Sequence, residues 1–483
     1  MTLLVGPTAK LADERRRHEF AENRAPQAGS GEKNPSLYGD RSQAEQEARV
    51  YIRSVSLRNI KGFRSLKFDF SRGSDASLAG WTVLTGDNGS GKSALLKSIA
   101  LALSGAEAAR SLQFSYSGWR THGIGEKDIS EISLEIVRSE ASDFLGAGGP
   151  PGRGQFPATI RFTGTGRETV LEYHDFRGKQ KHLLPHRTIW APSARGWFCC
   201  GYGPFRRVFG ASPEAMRQMV APVTERFVTM FQEAASLAEV DQWLKALKHK
   251  ELEKRTEEAA VLELVRRILN DGFLPNGMTI DHVDSEGLWL RDKSGAVLSW
   301  DEMSDGYRAA LALVADILRH LLNTYGAARF EFEDENSPLR IMLPGVVLID
   351  EIDAHLHPEW QRKIGFWLKE RFPLIQFIVT SHSPLVCQAA DEGGLFVLPA
   401  PGGDGEPRKL TVEEYRKIIA SRPDTILLTP AFGLKNTRSD VAVDSRSRLA
   451  AIRSKKRAGA KLSDKEQLEI AQLELFDVAN EDP

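Results

Sequence analysis

The chain has 483 residues, with 64 Lys and Arg against 65 Asp and Glu for a formal net charge of −1. That balance argues against a surface that captures nucleic acid everywhere, so any DNA contact must come from a local patch. Three cysteines, Cys199 beside Cys200 and Cys387 alone, give neither a disulfide framework nor zinc spacing. No apolar run reaches membrane-spanning length and the first residues lack a basic-then-apolar leader, so a cytoplasmic chain with no membrane contact is expected.

Residues 1–48 are polar and spotted with Gly, Pro and Ser around an Arg15-Arg16-Arg17-His18 cluster, and read as a flexible N-terminal extension. Alternation then predicts strands over 51–57 and 66–70, separated by a turn at Gly62. Residues 81–85 form a short apolar, β-branched run, followed at once by Gly86-Asp87-Asn88-Gly89-Ser90-Gly91-Lys92-Ser93. This is a complete GxxxxGK[ST] phosphate-binding loop, and a helical pattern over 94–103 completes the strand–loop–helix setting it requires. Glycines let backbone N–H groups turn inward around phosphate, and the helix start adds its positive end. Gly86, Asn88, Gly89, Gly91 and Lys92 are therefore the candidate nucleotide-binding residues, and the Ser93 hydroxyl a candidate magnesium ligand beside ATP.

Further strands are expected over 132–137, 158–162 and 169–173, with a Gly/Pro-rich loop at 146–154. A helical section follows from about 213 to 269, inside an insertion placed at about 211–272, which Gly272 and Pro275 terminate. A small β section leads to an amphipathic helix over Asp305–Tyr325. Two buried apolar strands, 346–349 and 376–379, flank a helix over about 358–372, an order that implies parallel strands. The tail from Thr437 reads as two helices split near residues 459–462.

The first of those buried strands runs straight into Asp350-Glu351. An acid at the carboxyl end of a central parallel strand lies at the ligand crevice, so Asp350 is assigned to the magnesium shell. Glu351, one step on, is placed to orient or deprotonate the attacking water. His382 ends the next strand and can donate to a γ-phosphate. His355 and His357 alternate, but no further ligand is spaced to make a zinc site with them.

These motifs together resemble the ABC-type ATPases, in their SMC/RecF/OLD-like branch. Ser304-Asp305-Gly306 is similar to the core of the family's signature motif, although Asp305 stands where the commonest version has a glycine; a serine before a helical run is also an ordinary N-cap. The opening Leu57-Arg58-Asn59-Ile60-Lys61-Gly62-Phe63-Arg64-Ser65 is similar to the branch's first strand and turn. For the family's glutamine loop two candidates stand, Gln113 and the stretch Gly201-Tyr202-Gly203-Pro204-Phe205-Arg206-Arg207. The resemblance implies an α/β fold: a P-loop ATPase head with a mixed β-sheet, a helical lid insertion and a C-terminal helical hairpin. It divides the chain into the extension, an ATPase domain over 49–400 and a mostly helical partner-docking region over 401–483.

No sustained heptad run occupies the long interval between Lys92 and Ser304, so a DNA-bridging coiled-coil arm is not expected. The stretch 196–207 and the tail beginning Gly433-Leu434-Lys435-Asn436 are similar to the Septu ATPases of bacterial anti-phage systems. That resemblance implies an HNH-type nuclease partner and a homo-oligomer of head-to-tail dimers, in which Ser304 and Gly306 of one chain complete the ATP site of another. The alternative it leaves open is an autonomous RecF-like repair ATPase that contacts DNA directly.

Overall fold

The computed structural model describes residues 51–72, 80–112, 115–137, 155–164, 169–173, 184–191, 197–206, 222–232, 237, 239–327, 330, 339–401 and 407–478. The 146–154 loop and Gln113 lie outside them, as does the N-terminal extension.

Residues that alternate in sequence alternate in space. β1 (Tyr51–Ile60), β2 (Phe63–Asp69), β4 (Ser130–Val137), β5 (Gln155–Thr163) and β6 (Val170–Tyr173) make an antiparallel sheet in the order β2-β1-β4-β5-β6. In β4 Ser130, Ile132, Leu134 and Ile136 are buried, while Glu131, Ser133 and Glu135 face the other side, as expected when one face is covered more than the other.

The second sheet has the opposite signature. β3 (Trp81–Thr85), β7 (Cys199–Tyr202), β11 (Gly345–Ile349) and β12 (Ile375–Thr380) are buried along their whole length. They lie in a sheet of order β14-β13-β3-β12-β11-β7, in which β13 is Leu395–Val397 and β14 is Arg408–Lys409. Every pairing is parallel except the β13–β14 edge. Continuous apolar strands are what a parallel sheet covered on both faces demands.

One cover is α1 (Lys92–Leu112), which packs between the two sheets with Leu95, Leu96, Ile99 and Leu103 buried. Its regular run stops at Gly105 (φ 78°), close to where the sequence pattern ends, and Trp190 donates its indole N–H to the Ala102 carbonyl there at 2.8 Å. The opposite face is covered by α4 (Asp305–Tyr325) and α5 (Pro358–Arg371), with Leu311, Val314, Leu318 and Leu368 in that core. Gln376 of β12 sews the sheets together, accepting from Ile52 N at 2.8 Å and donating to Ile52 O at 3.0 Å.

The expected helical section is interrupted. Short helical turns at Pro222–Glu225 and Val228–Phe231 precede α2 (Glu239–Leu252) and α3 (Thr256–Asn270), while residues 207–221 lie outside the description. A small antiparallel sheet of β8 (Thr279–Val283), β9 (Leu288–Arg291) and β10 (Val297–Ser299) follows. The C-terminal part holds α6 (Val412–Ala420), then a hairpin of α7 (Asp440–Arg457) and α8 (Asp464–Val478). Lys455 reaches Glu466 across that hairpin at 2.9 Å, and Leu449 and Ile452 are its buried residues on α7. Among the described residues no helix is long and apolar enough to cross a membrane.

Candidate nucleotide site

Parallel order puts the carboxyl ends of β3, β12 and β11 side by side, and the candidate residues emerge from that one edge. At the end of β3 the chain folds back through Gly86 (φ 142°), Gly89 (φ 80°) and Gly91 (φ 92°), conformations a side chain would resist. A Cβ on Gly91 would also press into the Phe63 ring. Helix α1 then starts at Lys92, leaving its first N–H groups without intrahelical partners. Asn88 stands exposed at the loop apex, and Ser93 is half-buried in the first turn of the helix.

Lys92 is buried, and its ammonium donates to the carbonyls of Gly86 and Asp87, both at 2.9 Å. The cation is thus held across the mouth of its own loop. Burial lowers its pKa, and Asp350, Glu351, Asp87 and Asp353 pull the other way. The acids that follow β11 therefore share an electrostatic environment with the lysine of the phosphate loop.

Asp350 follows β11 directly and is 1% exposed. Its N–H donates to Tyr202 O of β7 at 2.8 Å, extending the parallel ladder one residue past the strand. The Thr380 hydroxyl, at the end of β12, donates to Asp350 Oδ1 at 2.6 Å and accepts from Glu351 N at 2.7 Å. Glu351 adopts φ 47°. A left-handed conformation at such a residue costs about 1–3 kcal/mol and persists only where its surroundings enforce it.

Arg206 supplies much of that enforcement. It is buried, and donates to the carbonyls of Asp350 (2.8 Å), Glu351 (3.0 Å) and Gly203 (3.2 Å), with longer approaches to Ile352 and Ala354. Of the two glutamine-loop candidates, the Gly201–Arg206 part thus lies against the acid pair. Tyr202, in the same stretch, donates its hydroxyl to Asp316 of α4 at 2.9 Å. Asp316 also pairs with Arg319 (2.8 Å), which reaches Glu225 (2.5 Å) and Glu239 of α2 (3.2 Å).

The signature-like residues approach from outside the sheet. Ser304 occupies the N-cap position of α4, but its exposed hydroxyl makes no capping bond, so the ordinary cap expected there is not formed. A Cβ on Gly306 would overlap the His355 carbonyl oxygen, so the start of α4 lies directly against the 353–357 loop of its own chain. Gln361 of α5 bonds Leu356 O at 2.9 Å and receives the Ser383 hydroxyl at 2.8 Å, tying that loop to the turn after β12. His382 sits in this turn and is exposed. His357 plays a structural part, since its Nδ1 accepts from Glu359 N at 3.4 Å, at the N-cap of α5.

The residues present fit a triphosphate and its magnesium. Ser90 Oγ beneath the loop and Asp353 Oδ1 beside the acids are buried without hydrogen-bond partners. Such groups are normally satisfied, so the site keeps hydrogen-bonding capacity that polar atoms of a ligand or its water would fill. Sequence reasoning missed Thr380 and the brace from Arg206. The signal for Arg206 was present, an arginine a few residues beyond a short apolar strand, but only the parallel pairing of β7 with β11 aims it at the acids.

Comparison with known proteins finds similar sequences and folds. Residues 232–388 match a family model described as "AAA domain, putative AbiEii toxin, Type IV TA system", and residues 54–181 match a second AAA domain model. A Septu protein PtuA of Bacillus mycoides is 27% identical over 399 residues, covering 81% of this chain and 46% of that protein. The Retron Ec83 probable ATPase of Escherichia coli is 27% identical over 402 residues, covering 72% of this chain and 71% of that one. The chain therefore spans less than half the length of the Bacillus mycoides protein. Among solved structures, an SMC head domain from Thermotoga maritima aligns at 17% identity with a TM-score of 0.39, covering 75% of this chain and 99% of the other. The chain is thus similar to AAA-domain proteins and to ATPase-type proteins of Septu and retron systems.

Proposed function

We propose that this chain, a relative of the SMC/OLD-like AAA ATPases, binds ATP and hydrolyses it to ADP and phosphate. The observation that carries the reading is the meeting of the Lys92 loop with Asp350 and Glu351 at one edge of the parallel sheet. In it, Lys92 and the N–H groups of the loop from Gly86 to Gly91 hold the β- and γ-phosphates. Ser93 and Asp350 hold a magnesium ion, which when bound neutralises charge on the phosphate oxygens. Glu351 orients the attacking water and takes its proton, and His382 donates to the γ-phosphate.

Ser304 and Gly306 act on a second copy in this reading. Two chains meet head to tail, the start of each α4 facing the other's triphosphate, so that two composite sites are related by a two-fold axis. ATP binds the closed pair better than separate chains and stabilises it, and hydrolysis releases it. The assembly holds or gates a nuclease partner of HNH type, with residues 401–483 as the docking region, 49–400 as the ATPase domain and 211–272 as its helical insertion. Purification of the tagged chain from its native host tests this: a co-purifying nuclease supports it, and none contradicts it.

One observation favours direct DNA contact as a second reading. Arg453, Lys455, Lys456, Arg457 and Lys461 are exposed around the tip of the α7–α8 hairpin. It predicts DNA-stimulated hydrolysis by the isolated chain, with binding that weakens steeply as salt rises.

A further inference from the structure

Arg206 commits its guanidinium to main-chain carbonyls, at 2.8 Å from Asp350 O and 3.0 Å from Glu351 O, the two carbonyls that flank the Glu351 Cα, and at 3.2 Å from Gly203 O. Both terminal nitrogens point into the loop, and the side chain is enclosed, so it has no route to a phosphate. We propose that Arg206 is a positioning residue for Glu351: it fixes the left-handed turn from which the carboxylate meets the attacking water. This rests on the ATPase reading above, in which Glu351 is the base.

Three observations converge on this role. Glu351 is one of only a few non-glycine residues with positive φ among those described, and His355 (φ 66°) is another in the same loop. The carbonyls of such a turn point away from regular partners, and a planar fork with several donors can serve them together where a lysine ammonium cannot. Arg206 also leaves β7 four residues after the strand ends, while Tyr202 at that end receives Asp350 N. The acid pair is thereby gripped from the same connection at both its N–H and its carbonyl side. Burial pulls the guanidinium down to about 10, while Asp350, Asp353 and Glu351 hold it up, so it stays charged at neutral pH.

The test uses the full chain as Arg206→Met, close in size without the charge, with Arg206→Lys and Arg206→Ala beside it. Hydrogen exchange is read without nucleotide, and the expected change is faster exchange confined to amides 350–356, about 10-fold or more. With ATP, kcat is expected to fall about 30-fold or more while KM and the affinity for a fluorescent ATP analogue stay within about 3-fold. Millimolar guanidinium is expected to restore part of the turnover of Arg206→Ala. Unchanged exchange with unchanged kcat overturns the proposal, and so does a loss of nucleotide affinity as large as the loss of kcat. Where Arg206→Met fails to fold, Arg206→Lys carries the same readouts, with an intermediate fall in kcat expected and wild-type turnover decisive against. A wild-type chain that binds and hydrolyses no ATP defeats the ATPase reading instead, and the exchange experiment still decides whether Arg206 orders the loop.

Discussion

The Thr380 hydroxyl donates to Asp350 Oδ1 at 2.6 Å, and the same oxygen accepts the N–H of Glu351 at 2.7 Å. One atom at the end of β12 therefore fixes the side chain of the first acid and the backbone of the second. Thr380→Val keeps the shape but leaves Glu351 N without its acceptor, a loss of about 1–3 kcal/mol for a buried donor. Denaturant unfolding is expected to record that loss and single-turnover assays a slowed hydrolysis, with Thr380→Ser close to wild type on both.

Gly306 has no room for a side chain because the His355 carbonyl occupies the space. Gly306→Ala must displace either the start of α4 or the 353–357 loop. ATP affinity of the single chain is expected to survive within about 3-fold, while hydrolysis falls by about 10-fold or more. Equilibrium binding and turnover measured on one preparation check this, and wild-type turnover would show that the close approach is incidental.

A pH dependence follows from Glu239. Burial pushes its carboxyl up to about 7, Arg319 counters, and the neighbouring Glu225 adds to the rise. The folded state then binds a proton that the unfolded chain releases above the ordinary value near 4.5. Its contribution to stability is full below that value and is lost as pH climbs towards about 7. Melting temperature measured from pH 5 to 8 is expected to decline for wild type and to decline less for Glu239→Gln.

Gln376 is a buried amide that joins the two sheets. Gln376→Leu removes both partners of Ile52 and leaves its N–H and carbonyl buried and unpaired. A loss of about 2–4 kcal/mol is expected from two such groups, seen as a lower denaturant midpoint. Nucleotide affinity at low denaturant should stay unchanged, because the site lies at another edge of the sheet.

Much of this was legible before any coordinates. The alternation of β4, the continuous apolar runs of β11 and β12 and the Gly86–Ser93 octapeptide each carry their own local signal, and each forms the element expected. The helix expected over about 305–325 forms as Asp305–Tyr325, because its apolar stripe is long and regular. What stayed hidden depends on tertiary pairing. β7 is four residues long, Cys199–Tyr202, too short for periodicity to reveal, and its place beside β11 is what turns Arg206 and Tyr202 towards the acids. Thr380 carries no local signal, because its role exists only once β12 lies between β3 and β11. The section expected to be helical holds several separate helices among its described residues, and Glu225 and Glu239 from two of them meet Arg319.

The central claim is that the Lys92 loop and Glu351 serve one triphosphate, and turnover by Glu351→Gln, measured with ATP binding on the same protein, tests it most directly. The account predicts wild-type affinity for ATP with hydrolysis slowed by about 100-fold or more, while Lys92→Ala loses affinity itself. A Glu351→Gln chain that hydrolyses ATP at the wild-type rate, or a wild-type chain that does not bind ATP, would contradict it.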